Sequence, residues 1–377
     1  MTFPNILQWN CRGLRANLKE LKFLIDEYHS YIICLQETRL PENNNINLRG
    51  YSIYHKILNN NPTFAGGVSN LVHNSIPSSP LSITTSLQAV ATRVTLHRPL
   101  TICNLYLPPS LTWTAHDIEN LLRQLPPPII LIGDFNSHST LWGNDKLDAN
   151  GRKVEEIILS QNLCILNNKK PTYLHPATST FSAIDLCLVD AGLYTEFDWD
   201  THPDLCGSDH YPIIINSLKS YNDEQYPNWK LNKANWIKFQ EECEQSINDD
   251  LLNLSNPLEA FTSCLHQAAE KNIPKTVKSS FRKKPWLNNE CKKYRRKRRQ
   301  AQRRLEKYPT KENMKNYLQT RAKTRKLINE NQKKSWQDYV SKLNTNTPSS
   351  KIWNMIRRIQ GKQQPYAIKH LKTSHGL

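Results

Sequence analysis

The sequence lacks the closely spaced cysteines that structural zinc sites need. Its nine cysteines are odd in number, no two lie closer than 19 residues apart, and no C-x-x-C occurs. This pattern excludes a zinc ribbon or a zinc knuckle. Because several of the cysteines lie inside apolar runs, we expect reduced thiols that act as small core residues of an intracellular protein.

Long apolar runs are missing as well. No stretch approaches the roughly 18 apolar residues that indicate a transmembrane helix, so none is predicted. The first strand-like run starts directly after Pro4, which leaves no room for a signal peptide. The chain shows no internal repeat, and its length suits one large domain with an appendage, or two domains.

Acidic residues are scarce in the second part of the chain. Residues 1–218 hold 15 Lys and Arg against 19 Asp and Glu, a formal charge of −4, whereas the remainder holds 35 against 14, a formal charge of +21. Such asymmetry indicates contact with nucleic acid or a membrane surface. Because apolar runs also stop near residue 216, we predict one domain over residues 1–218 and a basic helical region over residues 219–377.

Short apolar runs dominate the first domain and predict strands. The predicted strands are Ile6–Asn10, Tyr31–Gln36, Tyr51–Tyr54, Gly67–Val72, Gln88–Thr95, Leu100–Tyr106, Ile129–Gly133, Ile184–Val189 and Pro212–Ile215. Helices are predicted over Lys19–Tyr28, Ala115–Gln124 and Gly151–Gln161. Many strands with few helices favour packed sheets with outer helices over a doubly wound parallel sheet. Further helices are predicted near Asn235–Leu254, Pro257–Asn272, the basic block at 292–299, Lys311–Leu343 and around Trp353.

Carboxylates at strand ends carry the strongest chemical signal. Glu37 follows the apolar run Ile32–Leu35, and Asp134 follows the run Ile129–Ile132. A carboxylate at a strand end lies at the rim of a sheet, where it can meet other rim residues. Together with Asn and His side chains, such carboxylates suit a hard divalent cation and a phosphate ester, because Mg²⁺ prefers oxygen ligands and keeps sites open for water and phosphate.

Six short motifs follow one another along the first domain. They are Trp9–Arg15, Gln36–Thr38, Asn104–Pro109, Gly133–Asn136, Ser182–Asp185 and Gly207–Pro212. Singly, each has a structural explanation, since Gly133–Asn136 also suits an ordinary turn and Tyr106 also suits a core aromatic. Together and in this order, they resemble the endonuclease/exonuclease/phosphatase superfamily, which includes DNase I-like enzymes and abasic-site endonucleases.

The resemblance implies an α/β (α+β) fold, a two-sheet sandwich of the DNase I-like type, that cleaves phosphoesters with Mg²⁺ or with Mn²⁺ in its place. On the metal side it implies Glu37 as the main ligand, with Asn10 and Asp209. On the phosphate side it implies five catalytic residues, which are Tyr106, Asp134, Asn136, Asp185 and His210. Among these, Asp185 orients His210. Mechanisms within the family leave open whether Asp134 or His210 is the general base.

A narrower resemblance connects the chain with jockey-type endonucleases of non-LTR retrotransposons. The segments that carry it are Ala65–Val68, Asp134–Ser139, Leu141–Gly143, Ile184–Leu186, Pro285–Leu287 and Lys351–Asn354. It implies a Mg²⁺-dependent, nuclear enzyme that nicks DNA and leaves a 3′-hydroxyl, and a basic linker that would precede a reverse transcriptase. Arg12 stands where abasic-site endonucleases carry Asp, which argues against a repair role.

The reverse transcriptase itself is not expected in this sequence. Asn248-Asp249-Asp250 lacks the aromatic residue and hydrophobic flanks of a polymerase Asp pair, and we interpret it as an acidic helix end.

The basic block is a second candidate site. Its residues are Lys292, Lys293, Arg295, Arg296, Lys297, Arg298 and Arg299. Counterion release makes such blocks bind nucleic acid, so DNA is the expected partner and element RNA a second candidate. A charge run can also be no more than a solvated surface. The sequence gives no oligomeric state.

Two other functions stay open at this point. One is a phosphatase or phosphodiesterase of the same fold that acts on a small phosphorylated substrate or on RNA. The other is an inactive fragment that binds nucleic acid.

Overall fold

The computed structural model describes residues 5–40, 48, 50–56, 66–219, 231–247, 256–274, 286–344, 347–350 and 352–353. The chain divides into two compact units, one of Phe3–Tyr221 with Pro285–Leu377 and one of Met1–Thr2 with Asn222–Lys284. The larger unit therefore contains both the motif-bearing region and the basic helices beyond residue 285. These units divide the chain differently from the predicted boundary at residue 218.

The first sheet of the larger unit has six strands. In chain order they are β1 (Asn5–Asn10), β2 (Ile32–Gln36), β3 (Tyr51–Lys56), β4 (Val68–His73), β13 (Phe197–Thr201) and β14 (Ile213–Ser217). Their spatial order is β13-β14-β1-β2-β4-β3. Strands β1 and β2 are parallel, and the other neighbours are antiparallel.

The second sheet also has six strands. They are β5 (Ser78–Leu81), β6 (Gln88–Thr95), β7 (Pro99–Tyr106), β8 (Ile129–Asp134), β9 (Leu163–Ile165) and β12 (Asp185–Asp190), in the spatial order β5-β6-β7-β8-β12-β9. Only β7 and β8 are parallel neighbours in this sheet. A small separate sheet pairs β10 (Tyr173–His175) with β11 (Thr180–Ser182).

Three helices cover the outer faces of the two sheets. Helix α1 (Leu14–Tyr28) packs on the first sheet, whereas α2 (Ala115–Arg123) and α3 (Ala149–Ser160) pack on the second. Apolar side chains from both sheets, such as Ile32 and Ile130, meet in the core between them. The predicted two-sheet sandwich is therefore confirmed, and it is followed by a helical extension.

Five short strands were not predicted from the sequence, namely β5, β9, β10, β11 and β13. They contain only three to five residues. A run of that length is too short for an alternating pattern to be recognised.

The described residues after the sandwich include four long helices. The smaller unit contains α4 (Trp236–Ser246) and α5 (Pro257–Asn272), and the larger unit contains α6 (Asn289–Lys307) and α7 (Lys311–Val340). Residues 248–254 of the predicted Asn235–Leu254 helix, which include Asn248-Asp249-Asp250, lie outside the described residues. So does most of the predicted helix around Trp353. Among the helices that the structure describes, none is long and apolar enough to cross a membrane.

Helices α6 and α7 form an antiparallel hairpin. The Thr324 hydroxyl donates to the Tyr294 carbonyl oxygen at 3.2 Å, and Asn288 Nδ2 donates to Asn331 Oδ1 at 2.8 Å. These contacts pair the start of α6 with the middle of α7, as a short connection between two helices requires.

An ion pair buried against the sandwich holds the hairpin in place. Arg298 is 1% exposed, and its Nη1 and Nη2 donate to the Glu20 carboxylate at 2.8 and 3.1 Å. Its Nε and Nη2 also donate to Asp204 Oδ2 at 3.1 and 2.8 Å. Burial alone would raise the pKa of Asp204, but the Arg298 charge together with hydrogen bonds from the Cys206 backbone N and from Arg298 outweighs burial and lowers that pKa. One residue of the basic block is therefore a structural ion-pair partner.

We predict that Arg298→Met lowers the free energy of unfolding by about 3–5 kcal/mol, because it removes the buried cation that pairs with the two interior carboxylates. The matched control is Arg296→Met on the exposed side of α6, which should stay within about 0.5 kcal/mol of the parent. Urea unfolding at pH 7 measures both. Equal losses in the two variants would contradict a structural role for Arg298.

His202 makes the stability of the larger unit depend on pH. Its Nδ1 lies 2.8 Å from the Tyr28 hydroxyl. Burial lowers its pKa to about 4, and the Arg299 cation acts in the same direction. Because an unfolded His titrates near 6.5, the unfolded state gains a proton first as the pH falls.

We predict that the free energy of unfolding of the parent falls by about 2 kcal/mol more between pH 7 and pH 5 than that of His202→Gln. The reason is that His202 lowers the stability by about 1.4 kcal/mol for each pH unit below 6.5. The lowered pKa of Asp204 acts only below about pH 4, outside this window. Urea unfolding of both proteins at the two pH values measures the difference. An identical pH dependence would show that His202 titrates normally in the folded chain.

Candidate active site

Strand ends bring the predicted residues to one rim of the sandwich. Asn10 is the last residue of β1, and Asp134 is the last residue of β8. Asp185 begins β12 and lies directly opposite Asp134 in the antiparallel register. Gly133 is required beside them, because a Cβ there would lie 1.8 Å from the Leu105 carbonyl oxygen. The close approach of β7 and β8 therefore fixes the backbone that presents Asp134.

Asn10 links the two acidic parts of the site. Its Nδ2 donates to Glu37 Oε1 at 3.1 Å and to Asp134 Oδ2 at 2.8 Å. Glu37 directly follows β2 with a left-handed φ of 47°. The Tyr106 hydroxyl also donates to Glu37 Oε1, at 3.1 Å. Backbone strain of this kind concentrates at functional sites.

The Glu37 carboxylate is held in its charged form. Burial alone would raise the pKa of Glu37, but hydrogen bonds from Arg39 and Asn10 outweigh burial and lower it. In Tyr106 the effect is opposite, because burial and the nearby Glu37 charge raise the pKa of its hydroxyl. Tyr106 therefore remains a neutral hydrogen-bond donor to Glu37 at physiological pH.

His210 lies between two buried carboxylates. Its Nδ1 is 2.8 Å from Asp185 Oδ2, and its Nε2 is 3.8 Å from Asp134 Oδ2. Burial alone would lower the pKa of His210, but the charges of Asp185 and Asp134 outweigh burial and raise it to about 10. The imidazole is therefore protonated at neutral pH, and both ring nitrogens are donors.

Asp134 has the properties of a proton acceptor near neutral pH. Burial raises its pKa to about 7, and the His210 cation opposes this rise. Its Oδ1 accepts from the backbone N of Asn136 at 3.1 Å. Asn136 Nδ2 donates in turn to the Leu107 carbonyl oxygen at 2.9 Å, which fixes the loop after β8. A base with a pKa near the working pH is the most effective kind.

Two arginines were missed as members of the site. Arg12 forms an ion pair with Asp209, and Arg39 forms one with Glu37. Both arginine side chains are largely exposed, at 49% and 42%, whereas Asp209 is 7% exposed. The sequence offered a signal in each case, since Arg12 follows Asn10 by two residues and Arg39 follows Glu37 by two.

Aromatic residues that support His210 were also missed. The Tyr173 ring lies 4.7 Å from the His210 ring, measured between centroids, and the Trp9 indole donates to the His210 carbonyl oxygen at 3.0 Å. Tyr173 belongs to the short strand β10, which no sequence pattern indicated.

The chemistry of the donor set suits a divalent metal ion. The ligand atoms of Asp134, Asp185 and His210 lie within 4.8 Å of one another, a candidate metal-binding cluster when His210 is neutral, but the protonated His210 has no free lone pair and itself supplies the cation there. Glu37 and Asp209 are neutralised by exposed guanidinium groups. A hard cation could take over that charge without leaving a buried carboxylate unpaired.

The basic block is divided between two sides of α6. Arg298 is buried, Arg295 lies over the Phe23 ring at 4.1 Å from its centroid, and Arg299 pairs with Glu27 at 3.5 Å. The other four residues of the predicted nucleic-acid-binding set are exposed, namely Lys292, Lys293, Arg296 and Lys297.

Comparisons with known proteins agree with this geometry. Residues 100–214 match the family described as "Endonuclease-reverse transcriptase". The chain is 29% identical over 221 residues to "RNA-directed DNA polymerase from mobile element jockey" of Drosophila funebris, a match that covers 57% of this chain and 24% of that protein. The Drosophila melanogaster protein of the same name is 27% identical over 280 residues, with 71% and 30% covered. The chain thus spans about a quarter to a third of these relatives.

A solved structure shows the same fold. The "Endonuclease domain of TRAS1, a telomere-specific non-LTR retrotransposon" superposes with a TM-score of 0.50 at 22% identity, over 57% of this chain and 98% of that one. The predicted resemblance is confirmed. The described residues within 5–219 share the fold of that endonuclease domain, and the chain resembles the endonuclease/exonuclease/phosphatase superfamily and its jockey-type endonucleases. These residues are called the endonuclease-like domain below.

Proposed function

We propose that this chain is the Mg²⁺-dependent endonuclease of a non-LTR retrotransposon, which nicks DNA by hydrolysis and leaves a 3′-hydroxyl. The observation that carries the proposal is the position of His210, with Nδ1 2.8 Å from Asp185 Oδ2 and Nε2 3.8 Å from Asp134 Oδ2, at the rim that also carries Glu37. We further propose that the sequence supplies the cleavage activity of such an element and not its polymerisation, and that it acts in the nucleus.

The proposed mechanism assigns each rim residue a role. Asp134 orients the attacking water and accepts its proton, since its pKa of about 7 leaves a carboxylate available near neutral pH. His210 is already protonated and donates to the phosphate, where it stabilises the charge that develops in the transition state. Asp185 fixes the ring of His210 through Nδ1. The water oxygen forms the new bond to phosphorus as the P–O3′ bond breaks, and the leaving 3′ oxygen takes a proton from solvent water to become a hydroxyl.

Residues on the opposite side of the site would hold the metal. Glu37, with Asn10 and Asp209, provides the hard oxygen ligands, while Tyr106 and Asn136 lie beside the phosphate position. When bound, Mg²⁺ supplies positive charge that offsets the charge on the phosphate and on the leaving oxygen. Mn²⁺ has the same preference for carboxylate oxygens and is expected to substitute.

The decisive assay compares supercoiled plasmid DNA with small phosphomonoesters such as inositol phosphates, each with Mg²⁺ or EDTA. We expect nicked circles, with ends that a DNA polymerase extends, only in the presence of Mg²⁺. Turnover of phosphomonoesters alone would support a phosphatase of the same fold. No turnover of any substrate would support an inactive nucleic-acid-binding fragment.

We predict that Asp134→Ala and His210→Ala each lower the nicking rate by a factor of roughly 10²–10⁴, because each removes a proton-transfer or charge-stabilising group. The control is Asp200→Asn, since Asp200 is about half-exposed and pairs only with Lys170 among the ion pairs of the described residues. Initial rates on plasmid DNA measure all three. Parent-like rates in either alanine variant would remove this site assignment.

We predict that Glu37→Gln raises the Mg²⁺ concentration needed for the half-maximal rate, because it neutralises one hard oxygen ligand. Glu156→Gln, on the exposed face of α3, is the matched control and should leave the titration unchanged. A metal titration at saturating DNA gives the answer. Identical curves for all three proteins would exclude Glu37 as a ligand.

We propose that the exposed side of the hairpin binds the phosphate backbone of nucleic acid, with DNA as the partner. This side, called the outer basic face, consists of Lys292, Lys293, Arg296, Lys297, Arg303, Arg304, Lys307 and Lys323. A groove between α6 and α7 runs along it, lined by Lys297, Arg304 and Lys323. The Tyr294 ring lies in this groove, with the ammonium groups of Lys297 and Lys323 each 5.2 Å from its centroid.

We predict that replacing Lys292, Lys293, Arg296 and Lys297 together by Ala weakens DNA binding and makes its salt dependence shallower. Every phosphate that is no longer neutralised removes about 0.9 from the slope of log K against log salt. The weakening should be similar for two unrelated DNA sequences, because phosphate contacts carry no sequence information. An unchanged slope would show that the outer basic face is only solvated.

A further inference from the structure

The inner side of the hairpin contacts one loop of the endonuclease-like domain. This loop, residues 202–212, joins β13 to β14 and carries Asp209 and His210, and it is called the catalytic loop here. Gln302 is fully buried at this contact. Its Oε1 accepts from the Leu205 backbone N at 3.0 Å, and its Nε2 donates to the Pro203 carbonyl oxygen at 3.3 Å.

The same hydrogen-bond chain reaches the far end of the loop. Gln302 Nε2 also donates to Glu306 Oε1 at 2.9 Å, and the Tyr211 hydroxyl donates to the same oxygen at 2.6 Å. Tyr211 directly follows His210. One helical turn of α6 therefore holds the catalytic loop on both sides of the catalytic histidine.

Charged groups of the hairpin hold the middle of the loop. Arg298 pairs with Asp204, and Arg321 Nη1 donates to the Ser208 carbonyl oxygen at 3.3 Å. The Ser208 hydroxyl donates to the Asn10 carbonyl oxygen at 2.7 Å and lies 3.2 Å from the His210 backbone N, from which it accepts. Contacts of α7 thus continue into the residues that carry the proposed chemistry.

Apolar packing completes the contact. Leu205 and Tyr211 of the loop are buried together with Leu174 of β10 and four hairpin residues, which are Ala301, Leu305, Met314 and Tyr317. A loop without such support would lose its fixed conformation, because each ordered residue costs about 1–2 kcal/mol of backbone entropy.

We propose that the α6–α7 hairpin is a positioning element of the catalytic site, in which Gln302 holds the catalytic loop so that His210 stays between Asp185 and Asp134. This inference rests on the proposed nuclease function. Misplacing a catalytic group by about 1 Å can cost a factor of roughly 10² in rate, so a small relaxation of the loop is sufficient for a large effect.

The test compares Gln302→Met with Gln337→Met in the full chain. Both substitutions replace an uncharged amide of the α6–α7 hairpin, but Gln337 is exposed and lies outside the outer basic face. We expect Gln302→Met to lower kcat for plasmid nicking by about tenfold or more, with KM and the DNA dissociation constant changed by less than about twofold. Gln337→Met should match the parent in all three.

Hydrogen exchange of the backbone amides provides a readout that does not need activity. In Gln302→Met the amides of residues 203–211 should exchange about fivefold faster than in the parent, as expected for the loss of a buried hydrogen bond. Gln337→Met should show no change. If Gln302→Met fails to fold by circular dichroism, Tyr211→Phe breaks the same hydrogen-bond chain from the loop side and takes its place.

The outcomes separate this proposal from the proposed function. If the parent nicks no DNA, the proposed nuclease function is wrong. If the backbone amides of residues 203–211 exchange at the same rate in both variants, the proposed contact between Gln302 and the catalytic loop is wrong. If the parent is active and Gln302→Met retains its kcat, the positioning role is overturned even when exchange is faster. Equal losses of kcat in both variants would also overturn it, because the effect would then not be specific to the contact between Gln302 and the catalytic loop.

Discussion

Two carboxylates paired across adjacent strands set the conditions for the rest of the site. Asp134 and Asp185 are opposite each other in the register of β8 and β12, and each is 1% exposed. Two like charges in a poorly hydrated place repel strongly, so the pair needs a cation between its members. His210 supplies that cation. Because His210 comes from a loop and not from a strand, the electrostatic balance of the rim depends on whatever fixes that loop.

The positive groups of the rim differ in how firmly they are held. His210 is buried and bonded to Asp185, whereas Arg12 and Arg39 are on the solvent side of Asp209 and Glu37. Removing a fixed buried cation would leave charge uncompensated, but an exposed arginine can turn away at little cost. The phosphate side of the site is therefore rigid, and the proposed metal side can exchange one cation for another.

The sequence predicted the sandwich and most of the residues that lie at its rim, because several motifs stand where a strand ends or begins and these strand ends meet at one edge. The sequence analysis did not predict that α6 has one buried and one exposed face, although the helical spacing of its buried residues is visible in the sequence. Cys291, Arg298 and Leu305 recur at seven-residue spacing and mark one buried stripe. What no local pattern could show is that Glu20 and Asp204, 184 residues apart, meet at Arg298. Only the folded chain brings these acids together.

The buried ion pair changes how the basic charge of α6 should be understood. A run of cations suggests one role, but Arg298 neutralises two interior carboxylates and Arg299 pairs with Glu27. If the endonuclease-like domain ended at residue 218, Glu20 and Asp204 would keep their negative charge without this partner. Their desolvation would then go uncompensated. Part of the positive charge of α6 therefore neutralises carboxylates inside the endonuclease-like domain. Only the remaining basic residues are available to bind phosphate groups.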